Sequence, residues 1–279
     1  MSSTEIEEES RKNDHIAILC TWLSRVRQSC QNRAEKENHL HLYKELELEF
    51  SIRPNPVFSH LPGRASDIGY PLFQAWRQML GEAVIYQQKQ KEQESKKREK
   101  KEEFFLSYEK QLCNDYFYMD GSIRQRLFAE SNLLPQWTRK QPMNLDLMDL
   151  FNANTWSFEE QKLEIKLNLK HEKPITALPK EFRPVFVRRK TTHRYRFPEH
   201  DQCWIDLSEV QNIKFEGERS VDDGPPVYEM EVEVNASLLK KSLETSTSHV
   251  EYKKEKYDMT TWELCGNVVV QLYEILGLK

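Results

Sequence analysis

Two segments of this chain place glutamates at every second position: Glu45, Glu47 and Glu49 in ELELEF, and Glu229, Glu231 and Glu233 in YEMEVEV. Between them lie cations at the same spacing, Arg124 with Arg126, and Arg188, Lys190, Arg194 and Arg196. The segment Lys162–Glu172 offers Glu164, Lys166, Asn168, Lys170 and Glu172 in one register. A β-strand sends residues i, i+2 and i+4 to one side, so each set shares a face. Like charges crowded on such a face repel, and β-propensity does not favour Glu. In a dry site the carboxylates would hold protons, whereas a divalent cation with hard oxygen ligands keeps several ionised. Two acidic triplets and two basic stretches are together the complement of a metal–polyphosphate complex. Singly, each motif also suits a solvent-facing strand whose charges discourage edge pairing.

The elements that would position these residues are readable from periodicity. Residues 1–14 are expected to be a disordered tail. Ile16, Leu19, Leu23 and Val26 recur at helical spacing and predict a helix from His15 to Arg33. The period then changes to two through Leu40–Phe50, a strand. A second helix is expected over Leu72–Tyr86. It is followed by a solvated helical insertion at 87–103, whose KKREKK core could serve as a nuclear-localisation patch or an RNA-backbone contact. Strands are expected at 104–112, 115–119, 122–128, 162–170, 186–197, 203–207 and 227–235, and a closing helix over Met259–Leu276 with Gly277 as its cap. A closed barrel of about eight strands can enclose one small ligand. Charges directed into it must be paired or metal-bound, because unpaired burial costs several kcal/mol per ion. A charged-interior barrel is therefore preferred to a charged-exterior sandwich.

Composition narrows the classes further. The chain has 279 residues, of which 41 are Lys or Arg and 45 Asp or Glu, for a net charge of -4. Its mean hydropathy of -0.78 would suit disorder, but an aromatic share of 11% argues for a fold. No apolar run reaches membrane-spanning length, and the acidic start MSSTEIEEES predicts no secretory or transit signal. The 5 cysteines are dispersed without a C-x-x-C, as expected of reduced intracellular thiols and not of a zinc site. There is no G-x-G-x-x-G, Walker A lysine loop, G-x-S-x-G or HExxH.

Six segments in order resemble the metal-dependent RNA 5'-triphosphatases of fungi, protozoa and DNA viruses, within the triphosphate tunnel metalloenzymes. They are Leu46–Phe50; Tyr116-Phe117-Tyr118 with Gly121-Ser122-Ile123-Arg124; Leu163–Pro174; Arg188-Arg189-Lys190 with Tyr195; Trp204–Ser208; and Tyr228–Val234. The resemblance implies an α+β fold, a closed eight-stranded antiparallel barrel or tunnel packed on its outside by the N- and C-terminal helices. Residues 15–279 would form one catalytic domain. It would remove the γ-phosphate from 5'-triphosphate RNA, the first step of mRNA capping, and would hydrolyse nucleoside triphosphates with Mn²⁺.

Carried over by the resemblance, Glu47, Glu49 and Glu233 would hold Mg²⁺ or Mn²⁺. Glu229 and Glu231 would position water and basic side chains, and Glu172 would orient or deprotonate the attacking water. Arg124, Arg188 and Lys190 would bind phosphates, supported by Arg126, Arg194, Asp206 and Ser208. Alternatives stay open at three points: Glu45 with Glu47 as the metal pair, Glu164 in place of Glu172, and Arg194 serving where the family pattern meets Thr192. Ser51 stands where the family often has Lys or Arg. A nuclear location, a separate capping guanylyltransferase as partner, and no membrane or DNA target follow from the same resemblance. The alternatives are a non-catalytic scaffold of the same fold in a transcription complex, or an inorganic or nucleoside triphosphatase.

Overall fold

Alternation builds this molecule, because its strands carry apolar residues on one face and charged residues on the other. The structure is a computed structural model that describes residues 3–37, 46–55, 67–95, 107–119, 121–129, 134–142, 155–158, 161–178, 182–196, 203–216, 219–222, 224–244 and 248–278. Glu45, the beginning of the expected first strand, the side chain of Leu46 and the KKREKK patch lie outside the described residues.

The fold is α+β, with one large antiparallel sheet and, among the described residues, four helices. Its strands are β1 (Leu46–Pro54), β2 (Ser107–Tyr118), β3 (Ile123–Phe128), β4 (Gln136–Pro142), β5 (Thr155–Phe158), β6 (Leu163–Pro174), β7 (Pro184–Arg196), β8 (Cys203–Glu216), β9 (Arg219–Asp222) and β10 (Val227–Val234). Pairing runs β1–β10–β8–β7–β2–β3–β4–β6, and β6 pairs with β1 again, so the ladder of eight strands returns to its start. The short β5 and β9 attach to β6 and β8. A separate hairpin joins β11 (His249–Tyr252) to β12 (Glu255–Asp258).

The helices α1 (Ser3–Glu37), α2 (Tyr70–Ser95), α3 (Ala236–Glu244) and α4 (Met259–Leu276) contribute to the core with the apolar faces of the strands. Leu48, Ile165, Leu167, Met230 and Val232 are all buried in one cluster with Leu19, Leu23, Val268, Val269 and Leu272. In sequence these five alternate with the charged residues and so share the opposite strand faces. α4 matches its expected span: Asp258 caps its start by accepting from Thr261 N at 3.0 Å, and Gly277 ends it in the left-handed region at φ 60°.

Three expectations are corrected. Residues 3–14, expected to be a disordered tail, form the first turns of α1. Glu8 and Lys12 pair one turn apart at 2.5 Å, and the Asp14 carboxylate accepts from the Tyr252 hydroxyl at 3.1 Å. The second helix and the start of the charged insertion are one continuous α2, since 87–95 is rich in helix-favouring Gln, Lys and Glu. The strands expected at 104–112 and 115–119 are parts of one β2, because Cys113 and Asn114 continue its pairing with β7. β4, β5, β9, α3 and the β11–β12 hairpin were not anticipated.

Two histidines brace helices against strands. His15 of α1 stacks on Trp156 with ring centroids 4.2 Å apart and bonds the Tyr273 hydroxyl through Nδ1 at 2.8 Å. His193 of β7 bonds the Tyr108 hydroxyl at 2.8 Å and meets Phe73 of α2 edge-on. Burial, helped by neighbouring cations, pushes both imidazoles down to about 4. An unfolded histidine titrates near 6.5, so the folded state resists a proton that the unfolded state accepts. This stability is present above pH 6.5 and is lost as pH falls toward 4. The expected result in pH-jump thermal unfolding is a steep loss between pH 6.5 and 4 that His193→Gln visibly flattens. An equal slope in the variant would refute the assignment.

Candidate functional site

The strand register decides which of the charged residues can meet. On one side of β1, Glu49 lies opposite Glu233 and Ser51 opposite Glu231. On its other side Glu47 lies opposite Lys170 and Glu49 opposite Asn168. β8 sets Asp206 between Glu231 and Arg194. β2 sets Asp115 between Arg126 and Arg188, and β3 with β4 aligns Arg124 with Thr138. The apolar partners of these residues point out into the core, so the charges point into the ring.

Inside, a cavity of about 150 Å³ is lined by Glu49, Asp115, Arg124, Arg126, Lys190 and Glu231, among others. A wider cavity of about 510 Å³ is lined by Glu172, Gln136, Thr138 and Ile175, among others. Glu47 and Glu233 line both cavities and connect them.

Cations and carboxylates neutralise one another across the lumen. Arg126 grips Asp115 with two bonds of 2.7 Å, and Arg194 grips Asp206 at 2.7 and 2.6 Å while also reaching Glu233 at 3.2 Å. Arg188 donates to Glu229 at 2.6 Å, Lys190 to Glu231 at 3.2 Å, Arg124 to Glu172 at 3.1 Å, and Lys170 to Glu49. The indole of Trp204 adds a bond to Glu233 at 2.9 Å.

Titration separates the carboxylates into two groups. The Lys190 ammonium outweighs burial and holds Glu231 down to about 2. Burial would raise Asp115, but the Arg126 hydrogen bonds and the surrounding cations keep it below the usual range. Burial, then the charges of Glu47 and Asp206, push Glu233 up to about 7 despite Arg194. Burial and the charges of Glu231 and Glu47 likewise raise Glu49 despite Lys170. Glu49 and Glu233 therefore carry repulsion that the protein's own cations leave unrelieved.

Among the described residues, no three His, Cys, Asp or Glu side chains already converge as a finished cation cage. The donor chemistry nonetheless fits a hard divalent ion: Glu47, Glu49 and Glu233 all line the inner cavity. Arg124 points to an anion. It is only 7% exposed, and its Nε–H finds no acceptor, a costly state for a buried donor unless a ligand supplies the oxygen.

Most sequence-designated residues face this space, and the exceptions are informative. Ser208 is fully buried, and its hydroxyl pairs with Thr192 at 3.0 Å, away from both cavities. Arg194 lines the inner cavity on the face where Thr192 fills a polar pair. Glu164 is held by Arg53 at 2.9 Å, whereas Glu172 reaches the wide cavity with Glu47 and Glu233. Ser51 accepts a bond from Asn168 at 2.8 Å, and Lys170 on the neighbouring strand supplies the cation beside Glu49. Sequence reasoning missed Asp115 and Trp204 as site residues, along with all of β4. Asp115 was signalled only by its parity with Phe117 in an otherwise aromatic run.

Over 85% of this chain and 88% of the other, the fold matches the RNA triphosphatase Pct1 of S. pombe with a TM-score of 0.57 at 15% identity. The same protein in complex with the Spt5 CTD matches with a TM-score of 0.55 at 14% identity, over 83% of this chain and 84% of the other. No protein-family model matches the chain, and no curated protein does. No helix among the described residues is long and apolar enough to cross a membrane.

Of the two bidentate contacts described above, Asp115–Arg126 has the more deeply buried carboxylate, with side-chain exposures of 4% for Asp115 and 23% for Arg126. Removing one partner of a buried pair strands the other charge. Arg126→Ala is expected to cost about 3 kcal/mol or more in urea unfolding, and Asp115→Asn with Arg126→Met much less than the sum of the single changes. Additive effects would show that water already screens the pair.

Proposed function

We propose that this chain is a polynucleotide 5'-triphosphatase, whose ring of strands encloses a tunnel and forms one catalytic domain. It would convert 5'-triphosphate RNA to a 5'-diphosphate end with release of orthophosphate, in the first step of mRNA capping. The observation that carries the reading is the unspent, buried Arg124 donor in a lumen where carboxylates and cations alternate on facing strands.

In this reading Arg124, Arg188, Lys190 and Arg194 bind phosphate oxygens, and Arg126 and Asp206 hold neighbouring groups in place. Bidentate arginine contacts fix the orientation of the triphosphate. Water attacks the γ-phosphorus in line as the bond to the β–γ bridging oxygen breaks. Glu172 orients that water and takes its proton, and the cations neutralise charge on the leaving diphosphate. Glu229 and Glu231 keep Arg188 and Lys190 aimed into the lumen. Glu47, Glu49 and Glu233 would hold Mg²⁺ or Mn²⁺, which supplies charge neutralisation at the γ-phosphate. A nuclear capping guanylyltransferase would then act on the 5'-diphosphate end.

The test is release of γ-phosphate from triphosphate-ended RNA, with and without divalent metal. Metal-dependent release is expected, and Glu233→Ala and Arg124→Ala should each lower turnover about 10²-fold while remaining folded by circular dichroism. Metal-independent release, or none from the wild type, would overturn the reading. Near-normal turnover by a folded Glu233→Ala protein would remove that residue from the metal set.

A further inference from the structure

The inner cavity contains one side chain that phosphate chemistry does not explain. Every described residue lining it is charged except Phe117. Phe117 lies opposite Arg124 on β3 and opposite Phe186 on β7. By strand parity Phe117 shares the inward face of Asp115, and Phe186 shares that of Arg188 and Lys190. Their rings stack with centroids 4.4 Å apart at 12°, a flat aromatic pair bordering the cation cluster.

Gly121, at φ +88°, places the β2–β3 turn against the pair, since a Cβ there would stand 3.6 Å from the Phe186 ring. Met119 in that turn and Phe182 ahead of β7 are exposed at 56% and 43%. The wide cavity carries Glu47, Glu172 and Glu233 beside Trp137, Ile175 and Val234, and no cation among the described residues lines it. It offers a polyanion no counter-charge, whereas an aromatic pair beside arginines suits a base followed by its phosphates.

We propose that Phe117 and Phe186 form a stacking platform for the nucleobase of the substrate's 5' nucleoside, with the triphosphate running past it to Arg124. The inference rests on the triphosphatase reading and adds what the charged residues lack, a means of preferring a nucleoside triphosphate over bare polyphosphate. Every base has a π-face, so the platform selects for a base without reading its identity.

The test is calorimetric binding of ATP and of inorganic tripolyphosphate without divalent metal, to wild type, Phe117→Leu, Phe186→Leu and Phe186→Tyr. Leucine keeps apolar bulk but removes the ring face, and thermal unfolding checks that each variant is folded. The ratio of ATP to tripolyphosphate affinity is expected to fall about tenfold in both leucine variants and to be retained in Phe186→Tyr. A purely structural role would move both affinities together, and an unchanged ratio in folded variants overturns the platform while leaving the polyphosphate site intact. Failure of the wild type to bind either probe overturns this inference, while the metal-dependent release assay decides the triphosphatase reading separately.

Discussion

The structure depends on the compensation of charge inside the strand ring. Each strand that lines it must satisfy two interiors at once, an apolar one beneath the helices and a charged one within the lumen. A polar outer face would leave α1 and α4 without a core to cover. An unpaired inner charge would carry a desolvation penalty of several kcal/mol. The register meets both demands by offsetting acidic and basic strands, so that β1 and β10 face cations from β6 and β7. Chain composition reflects this arrangement, since the inner cavity takes charged residues where an ordinary core would take apolar ones.

Compensation here is complete at some positions and deliberately poor at others in its physical effect. Asp115 and Glu231 are held ionised by cations close at hand, and those pairs set the lumen's shape. Glu49 and Glu233 sit opposite each other in register, and both are pushed toward protonation. Arg124 has a bond to Glu172 on one nitrogen and nothing on another. Acidic groups short of positive charge and a basic group short of an acceptor, on facing strands, form a site complementary to a cation and an anion together. Bulk solvent can satisfy neither need as well as an oriented ligand, because buried donors are shielded from it.

Parity made the site legible in the sequence. Glu47, Glu49, Glu231, Glu233, Arg124, Arg126, Arg188, Lys190 and Arg194 all line the inner cavity, and two-residue periodicity alone puts them on common faces. The outer core was readable for the same reason, as Leu48, Ile165 and Val232 show. Periodicity fails where an element is short or its partner is distant. β4 reads QWTRKQP, with no apolar alternation, and only its pairing along both edges with β3 and β6 identifies it. Asp115 is one acid among aromatic residues, and only the pairing of β2 with β3 and β7 gives it Arg126 and Arg188 as neighbours. The helical identity of 3–14 is tertiary as well, since Asp14 finds its partners in the β11–β12 hairpin at the other end of the chain.

Cross-strand geometry also explains why motif departures need not mean lost function. A cation beside Glu49 is required to offset its burial, but nothing requires that it come from the same strand. Ser51 gives up that place to bond Asn168, and Lys170 reaches Glu49 from β6. On β7 the same exchange occurs along one face: Thr192 closes a hydroxyl pair with Ser208, and Arg194, two residues further, takes Asp206 and Glu233. In both cases a cation reaches its carboxylate from a neighbouring strand. A motif written along the sequence misses such exchanges, whereas a ring of paired strands admits them because each lumen position has neighbours on two sides. At 15% identity, what this chain shares with Pct1 is the fold.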